Sequence, residues 1–285
     1  GQPVESVLLP QIEAEVLTPL PPPSTPPSAP PSAPPSPDEP PDQPPPSPPA
    51  SPPKPPALPP ASPPRPPLYP FANSSSAYAW YRQGEFDIQA GTWTDATGNG
   101  RTAVLSASGL SSSSVSGNGA AGPVLALEGT TSGSVDFGNI IQATFTICSV
   151  TRFTGSSKRR ILNGAGGNFL HGHYASASGG LTGVAFYGKV RTAWTPLVTP
   201  LTNWVALCGT NGGTYDVQLS GQSVGADTGG TGNVGLGINS GDHMPTDASD
   251  FALAELVVWD RALSGTEMTD ASCHITRNVL GIASC

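Results

Sequence analysis

The chain has 285 residues, 35 of them Pro and 34 Gly, with only 11% charged residues and a formal net charge of −8. That composition excludes an ordinary single-domain protein. It also excludes nucleic acid as an expected partner, because the one basic cluster, Lys158-Arg159-Arg160, has no interleaved aromatics and reads as a solvated turn.

The prolines divide the chain. Residues 1–70 hold 31 of them, and only Pro123, Pro196, Pro200 and Pro245 follow, whereas all but one of the glycines lie after residue 70. Three segments are expected: an N-terminal apolar peptide over residues 1–18, a Pro-rich rod over 19–70, and a globular domain over 71–285, long enough for its own core. No apolar run approaches the roughly 18 to 20 residues of a membrane-spanning helix. No basic-then-apolar leader is visible, and the start at Gly1 reads as a processed or partial product.

In the first segment Val7, Leu8, Leu9, Ile12 and Val16 form a short apolar stretch cut by Pro10 and too small to fold alone. It suits assembly by strand addition to the sheet edge of a neighbouring molecule, or simple docking. In the second, runs such as Pro44-Pro45-Pro46 fix φ and remove amide donors, so extended polyproline II is expected, reaching roughly 160 Å at about 3.1 Å per residue. The Ser-Pro-Pro and Ala-Pro-Pro texture of these residues resembles the hydroxyproline-rich glycoproteins of green-algal and plant cell walls and flagellar surfaces. The resemblance implies hydroxylated, O-glycosylated prolines, Pro44, Pro45 and Pro46 among them, and sugar on Ser24, Ser28, Ser32, Ser36, Ser47, Ser51 and Ser62. At the junction with the third segment Asn73-Ser74-Ser75 is an N-glycosylation sequon.

After Phe71, short apolar runs alternate with Gly, Ser, Asn and Asp turns, the pattern of an antiparallel sandwich. Strands are expected over residues 77–81, 124–127, 133–137, 143–152, 160–162, 168–174, 181–187, 204–209, 214–219, 234–238 and 251–259. One helix is expected, opened by the Ser264-x-x-Glu267 capping box and closed at Gly281. Cys148, Cys208, Cys273 and Cys285 are an even count without metal-ligand spacing. Of the three possible pairings, Cys148–Cys208 between apolar strands and Cys273–Cys285 around a short loop is the expected one; buried free thiols are the alternative.

The stretch Asp250 to Glu267, with Trp259-Asp260-Arg261-Ala262-Leu263-Ser264-Gly265-Thr266-Glu267 at its end, resembles the closing strand, turn and helix of laminin-G-like, concanavalin-like jelly-roll domains. Trp80-Tyr81, Trp93-Thr94-Asp95-Ala96-Thr97-Gly98-Asn99-Gly100, Phe145-Thr146-Ile147, Asn203-Trp204-Val205 and Tyr215-Asp216-Val217 match further stations in order, over about residues 77–281. The resemblance implies an all-β antiparallel jelly-roll sandwich with one short C-terminal helix. It leaves function open among adhesion modules, lectin-like binders and enzyme accessory domains. It also implies a possible calcium site at the sandwich rim, for which Asp242, Asp247 and Asp250 could supply oxygens, with Asp136 or Asp227 in reserve.

Enzyme signals are weak. Glu85-Phe86-Asp87 is the nearest approach to the paired carboxylates of a jelly-roll glycosidase and lacks a third acid. Gly221-Gln222-Ser223-Val224-Gly225 lacks the helix that a nucleophile elbow requires. His171-Gly172-His173 puts two imidazoles on one strand face, too few for a zinc site and expected to be surface groups. Glu255 and Arg261 are expected to make structural polar contacts near the last turn.

The expectation is a secreted, non-enzymatic glycoprotein of an extracellular matrix, cell wall or flagellar surface. As a filament subunit it would self-associate or bind other extracellular glycoproteins, and open fibres would follow from a head-to-tail contact. The alternative is a carbohydrate-binding module on a Pro-rich stalk, with Trp80, Tyr81, Trp93 or Trp194 stacking on sugar.

Overall fold

Nine consecutive buried residues, Phe251–Trp259, form the central strand of the molecule. Their alternation sends Phe251, Leu253, Leu256 and Val258 to one side and Ala252, Ala254, Val257 and Trp259 to the other, so both faces of this strand are covered. The computed structural model describes residues 76–285, apart from Ser178, Thr214, Tyr215, Ala226, Thr228 and residues 242–245. The apolar peptide, the Pro-rich rod, their expected glycosylation sites, Asn73 and Asp242 therefore lie outside the described residues.

Sixteen strands are described. They are β1 (Ala79–Tyr81), β2 (Phe86–Asp87), β3 (Thr92–Trp93), β4 (Ala103–Leu105), β5 (Leu110–Gly117), β6 (Ala120–Gly129), β7 (Val135–Ile141) and β8 (Thr146–Phe153), then β9 (Leu162–Ala165), β10 (Phe169–Tyr174), β11 (Leu181–Tyr187), β12 (Val205–Thr210), β13 (Val217–Leu219), β14 (Gln222–Ser223), β15 (Val234–Ile238) and β16 (Phe251–Trp259). Two antiparallel sheets form a jelly-roll-like sandwich. One runs β14-β13-β12-β8-β16-β6-β5, with β1 also on β16; the other runs β11-β10-β9-β15-β7-β4-β3-β2. The main core lies between them and is rich in aromatics, among them Tyr81, Trp93, Phe137, Phe145, Phe153 and Tyr187.

The single helix among the described residues, α1 (Gly265–Leu280), lies on the outer face of the first sheet. Met268, Ala271, Ile275 and Val279 recur at helical spacing and are buried, packing with Trp259, Val257 and Val150. Ser264 and Glu267 form the reciprocal capping box, and Arg261 clamps the Glu267 carboxylate from 2.9 and 3.0 Å. That clamp and the Ser264 amide hold the Glu267 carboxyl down to about 2. Gly281 takes the left-handed conformation at the helix end, as the sequence predicts.

Both disulfides follow the expected pairing. Cys148 and Cys208 sit directly opposite each other on β8 and β12, beneath the helix, and Cys273–Cys285 ties the C-terminus back to it. A Cβ on Gly221 would lie 2.4 Å from the Cys285 sulfur and 2.8 Å from that of Cys273, at a φ of +79°, so only glycine lets the β13–β14 turn approach this bridge.

Candidate functional site

Loop and core aromatics separate sharply in this fold. Trp80 is 8% exposed, Trp93 and Trp259 are 0%, Trp204 is 5%, and Tyr81 is 0%; Trp194 is 42% exposed. Three of the four aromatics that the sequence nominates for sugar stacking are therefore structural. The reason is the Trp93-to-Gly100 motif. Its Asp95 carboxylate accepts from the amides of Trp80, Thr97 and Arg101 at 3.0 to 3.3 Å, which folds the loop back over β1. Tyr81 then donates its hydroxyl to the Arg101 carbonyl at 2.6 Å, and Trp93 donates its indole N–H to the Arg82 carbonyl at 2.9 Å.

Trp194 sits on the segment between β11 and β12, which runs along the edge of β11. Arg191, fully buried, donates to the carbonyls of Thr210 and Asp227. Thr192 accepts from the Ala185 amide at 3.1 Å, the Leu197 amide donates to the Thr182 carbonyl at 2.8 Å, and the Thr182 hydroxyl donates to the Val198 carbonyl at 2.6 Å. The strap is thus pinned on both sides of its exposed indole. A Cβ on Gly183 would lie 2.9 Å from that of Leu197, so β11 needs glycine to receive the strap.

The Trp194 ring lies 5.2 Å from that of Tyr174, at the end of β10 and half-buried. Beneath them Leu170, Leu181 and Val184 form a small apolar cluster on the outer face of the second sheet. The Arg160 guanidinium sits 5.2 Å from the Tyr174 ring centroid. Its Nε is 2.8 Å from the Asp247 carboxylate, and its Nη1 donates to the side-chain oxygens of Asn163 and Asn168 at 3.1 and 2.8 Å. Arg160 is only 4% exposed, which corrects the solvated-turn reading of the basic cluster; Arg159 alone of the three is exposed. A fixed aromatic pair edged by a buried, ion-paired cation and the exposed Asn168 amide is a preorganised contact surface. Sequence reasoning missed Tyr174, Arg160 and Asn168, because nothing local ties residue 160 to residue 174 or 194.

The other nominated residues are engaged elsewhere. Asp247 pairs with Arg160, and the Asp250 carboxylate accepts from the amides of Ser157 and Thr131 at 3.0 and 3.3 Å. Asp136 accepts from the Gly138 amide, and Asp227 pairs with Lys189. Among the described residues no group of three or more His, Cys, Asp or Glu is placed to hold a metal. Glu85 pairs with Arg82 at 3.3 Å, and Asp87 accepts from the Ala90 amide at 2.9 Å. Ser223 lies on the short strand β14, not on a nucleophile elbow, and donates its hydroxyl to Asp216. Glu255 accepts from the Trp80 indole, and Arg261 from its side chain serves the helix cap.

His171 and His173 differ from expectation. Both are 0% exposed and point into the sandwich, because β10 is covered on both faces and a register shift follows Gly172. His171 Nε2 donates to the Leu207 carbonyl at 3.1 Å, which leaves Nδ1 to accept from the Tyr187 hydroxyl at 2.7 Å. His173 has Nδ1 3.3 Å from the Thr151 hydroxyl, while among the described residues its Nε2 has no partner. Burial lowers the imidazoles to about 4 and about 3.

A concavity of about 280 Å³, apart from this platform, lies between β4 and β7 and is lined by Val104, Asp136, Asn139 and Arg101. Its Arg101 is turned onto the Tyr78 ring, 3.5 Å from the centroid, and donates to the Tyr78 carbonyl, so its cation faces the protein.

No family model and no curated protein matches this chain. Among solved structures it is similar to a Trypanosoma rangeli sialidase in complex with sialic acid, at 12% identity over 70% of this chain, with a TM-score of 0.47. It spans 33% of that sialidase. It is similar to domain 4 of AbnA, a GH43 extracellular arabinanase from Geobacillus stearothermophilus in complex with arabinotriose, at 14% identity over 69% of this chain and 98% of that one, TM-score 0.47. A third is the binding domain of botulinum neurotoxin DC in complex with rat synaptotagmin II, at 10% identity over 70% and 52%, TM-score 0.46. None of these likenesses bears on what this chain does.

Proposed function

We propose that residues 71–285 form a non-enzymatic carbohydrate-binding module, secreted and presented on the Pro-rich segment, with Trp194 and Tyr174 as its sugar platform. The observation that carries this reading is the exposure of Trp194: the other four tryptophans are core, and this one is held in the open on a pinned strap beside Tyr174. A pyranose ring offers an apolar C–H face to such rings, and its hydroxyls can pair with polar groups fixed at the edge, here around Asn168 and Asp247. Two disulfides fit an oxidising compartment. Among the described residues no helix is long and apolar enough to cross a membrane. The absence of catalysis belongs to the proposal: Glu85 and Asp87 are each held by a local partner rather than aimed together at a cleft. The filament-subunit expectation and the calcium expectation receive no support from the described residues, since the apolar peptide and Pro-rich rod that the first invokes beside the jelly-roll domain lie outside them, and the calcium candidates Asp247 and Asp250 are engaged with protein groups.

The test is a glycan array followed by calorimetric titration with W194A. Binding by the native chain that weakens about tenfold or more in W194A, about 1.4 kcal/mol, supports the reading. A chain that binds no glycan, or one whose binding is indifferent to Trp194, sinks it.

A further inference from the structure

Three of the four sheet ends are protected against strand addition. β14 and β2 have only two residues each. The edge of β11 is covered by the strap, through the Phe186–Val190 bridge and the Arg191 and Leu197 amides. The fourth end, β5, is different. It has eight residues, Leu-Ser-Ser-Ser-Ser-Val-Ser-Gly, with no charge and no proline, and Ser111, Ser112, Ser114 and Ser116 are exposed. Among the described residues β6 is its one strand partner. Edge strands normally carry Lys, Pro, a covering loop or a short length, because bare N–H and C=O groups template pairing.

The phase of the ladder fixes which groups are bare. Thr130 donates to the Gly109 carbonyl, making Gly109 and Thr130 a hydrogen-bonded pair in register with Leu110 opposite Gly129. Alternation then directs Ser111 and Ser113 toward β6, and the amides and carbonyls of Ser112 and Ser114 outward.

We propose that β5 is a self-association edge, and that its occupant is β5 of a second copy of this chain, antiparallel about a two-fold axis at Ser113. In that register Ser112 of each copy meets Ser114 of the other and the bare groups form about four backbone hydrogen bonds. The facing side chains are serines, which both donate and accept, so no charge meets its like. A charged partner strand would find no countercharge on β5. The contact is isologous and closes at two copies, joining the two helix-covered sheets into one. It is independent of the sugar reading, and would double the valency of whatever surface the domain presents.

The experiment is sedimentation velocity of the full chain over a wide concentration series, with Ser114→Pro and Ser112→Lys as variants and circular dichroism to confirm folding. Proline at 114 removes an outward N–H without removing a bond to β6. The expected result is a reversible species of twice the chain mass, whose dissociation constant rises about tenfold or more in both variants. If Ser114→Pro does not fold, Ser112→Lys carries the test alone. A chain that stays monomeric throughout, or a dimer equally tight in the folded variants, overturns the proposal.

Discussion

Trp80 donates its indole N–H to the Glu255 carboxyl across 2.8 Å, joining β1 to β16 beside the register shift between Leu253 and Glu255. Burial raises this carboxyl to about 7, with Trp80 and Arg82 holding it back from rising further. Because the folded value exceeds the unfolded one, the contribution to stability is present at acid pH and is lost as pH rises from about 4.5 through about 7. The loss is about 3 kcal/mol. Glu255→Gln keeps an acceptor for Trp80 without an ionisable group, and is expected to flatten this descent. Urea unfolding on either side of neutrality measures it; an unchanged slope in Glu255→Gln would refute the assignment.

The His171 and His173 pair acts with the opposite sign. Their folded values, about 4 and about 3, lie below the unfolded 6.5, so stability present above 6.5 is lost as pH falls through that value, by about 1.4 kcal/mol per pH unit for each imidazole. Burial lowers His274 to about 4 as well, so between about 4.5 and 6.5 three histidines outweigh one glutamate, and between 6.5 and 7 the glutamate acts alone. The melting temperature should therefore peak near pH 6.5. His173→Leu removes the imidazole whose Nε2 lacks a partner among the described residues, and should remove about a third of the histidine part of the acid slope, His171 and His274 supplying the rest. A peak that does not move or sharpen differently in that variant would count against the pair as the acid sensor.

What the sequence could announce was what is local or periodic. The Ser264 capping box, Gly281, the apolar run of β16 and the Cys148–Cys208 pairing of two apolar strands are all legible, because each depends on neighbours a few residues away or on a strong pattern. β5 was invisible: Leu110–Gly117 is an edge, wet on both faces, so it has no alternation to display. The strand pattern puts His171 and His173 on one face, as the fold does, but gives that face to solvent where the fold turns it inward. Their strand, Phe169-Leu170-His171-Gly172-His173-Tyr174, is covered on both faces, and a pattern of two marks parity but not which side is inward. The platform is the harder case. Trp194 was one of four named aromatics, and its exposure depends on where the strap crosses β11, a relation between distant segments.

The two disulfides should differ in weight. Cys148–Cys208 spans a sequence separation of 60 and Cys273–Cys285 one of 12. Loop-closure entropy alone gives about 4 kcal/mol for the first and about 3 kcal/mol for the second. The paired alanine variants, compared by thermal unfolding, should rank in that order. The Cys273/Cys285 variant should in addition lose hydrogen-exchange protection in the last turn of α1, where the bridge and Gly281 act together. Equal global losses with no local signature would show that the short bridge does not hold the helix end.

Arg160 and Asp247 test whether the platform is built or incidental. Their side chains are 5% and 17% exposed and 2.8 Å apart, so removing the acid leaves a guanidinium buried without its charge partner. Asp247→Ala is expected to cost about 3 kcal/mol or more, whereas replacing both, as Arg160→Met with Asp247→Leu, should restore much of that loss. Stability and binding then part company. The double variant keeps the packing beneath Tyr174 but removes the polar edge, so it should fold well and bind glycan more weakly than the native chain, with Trp194 intact. If the double variant binds as the native chain does, the Arg160 and Asp247 edge plays no part in recognition, and the aromatic pair must act by stacking alone.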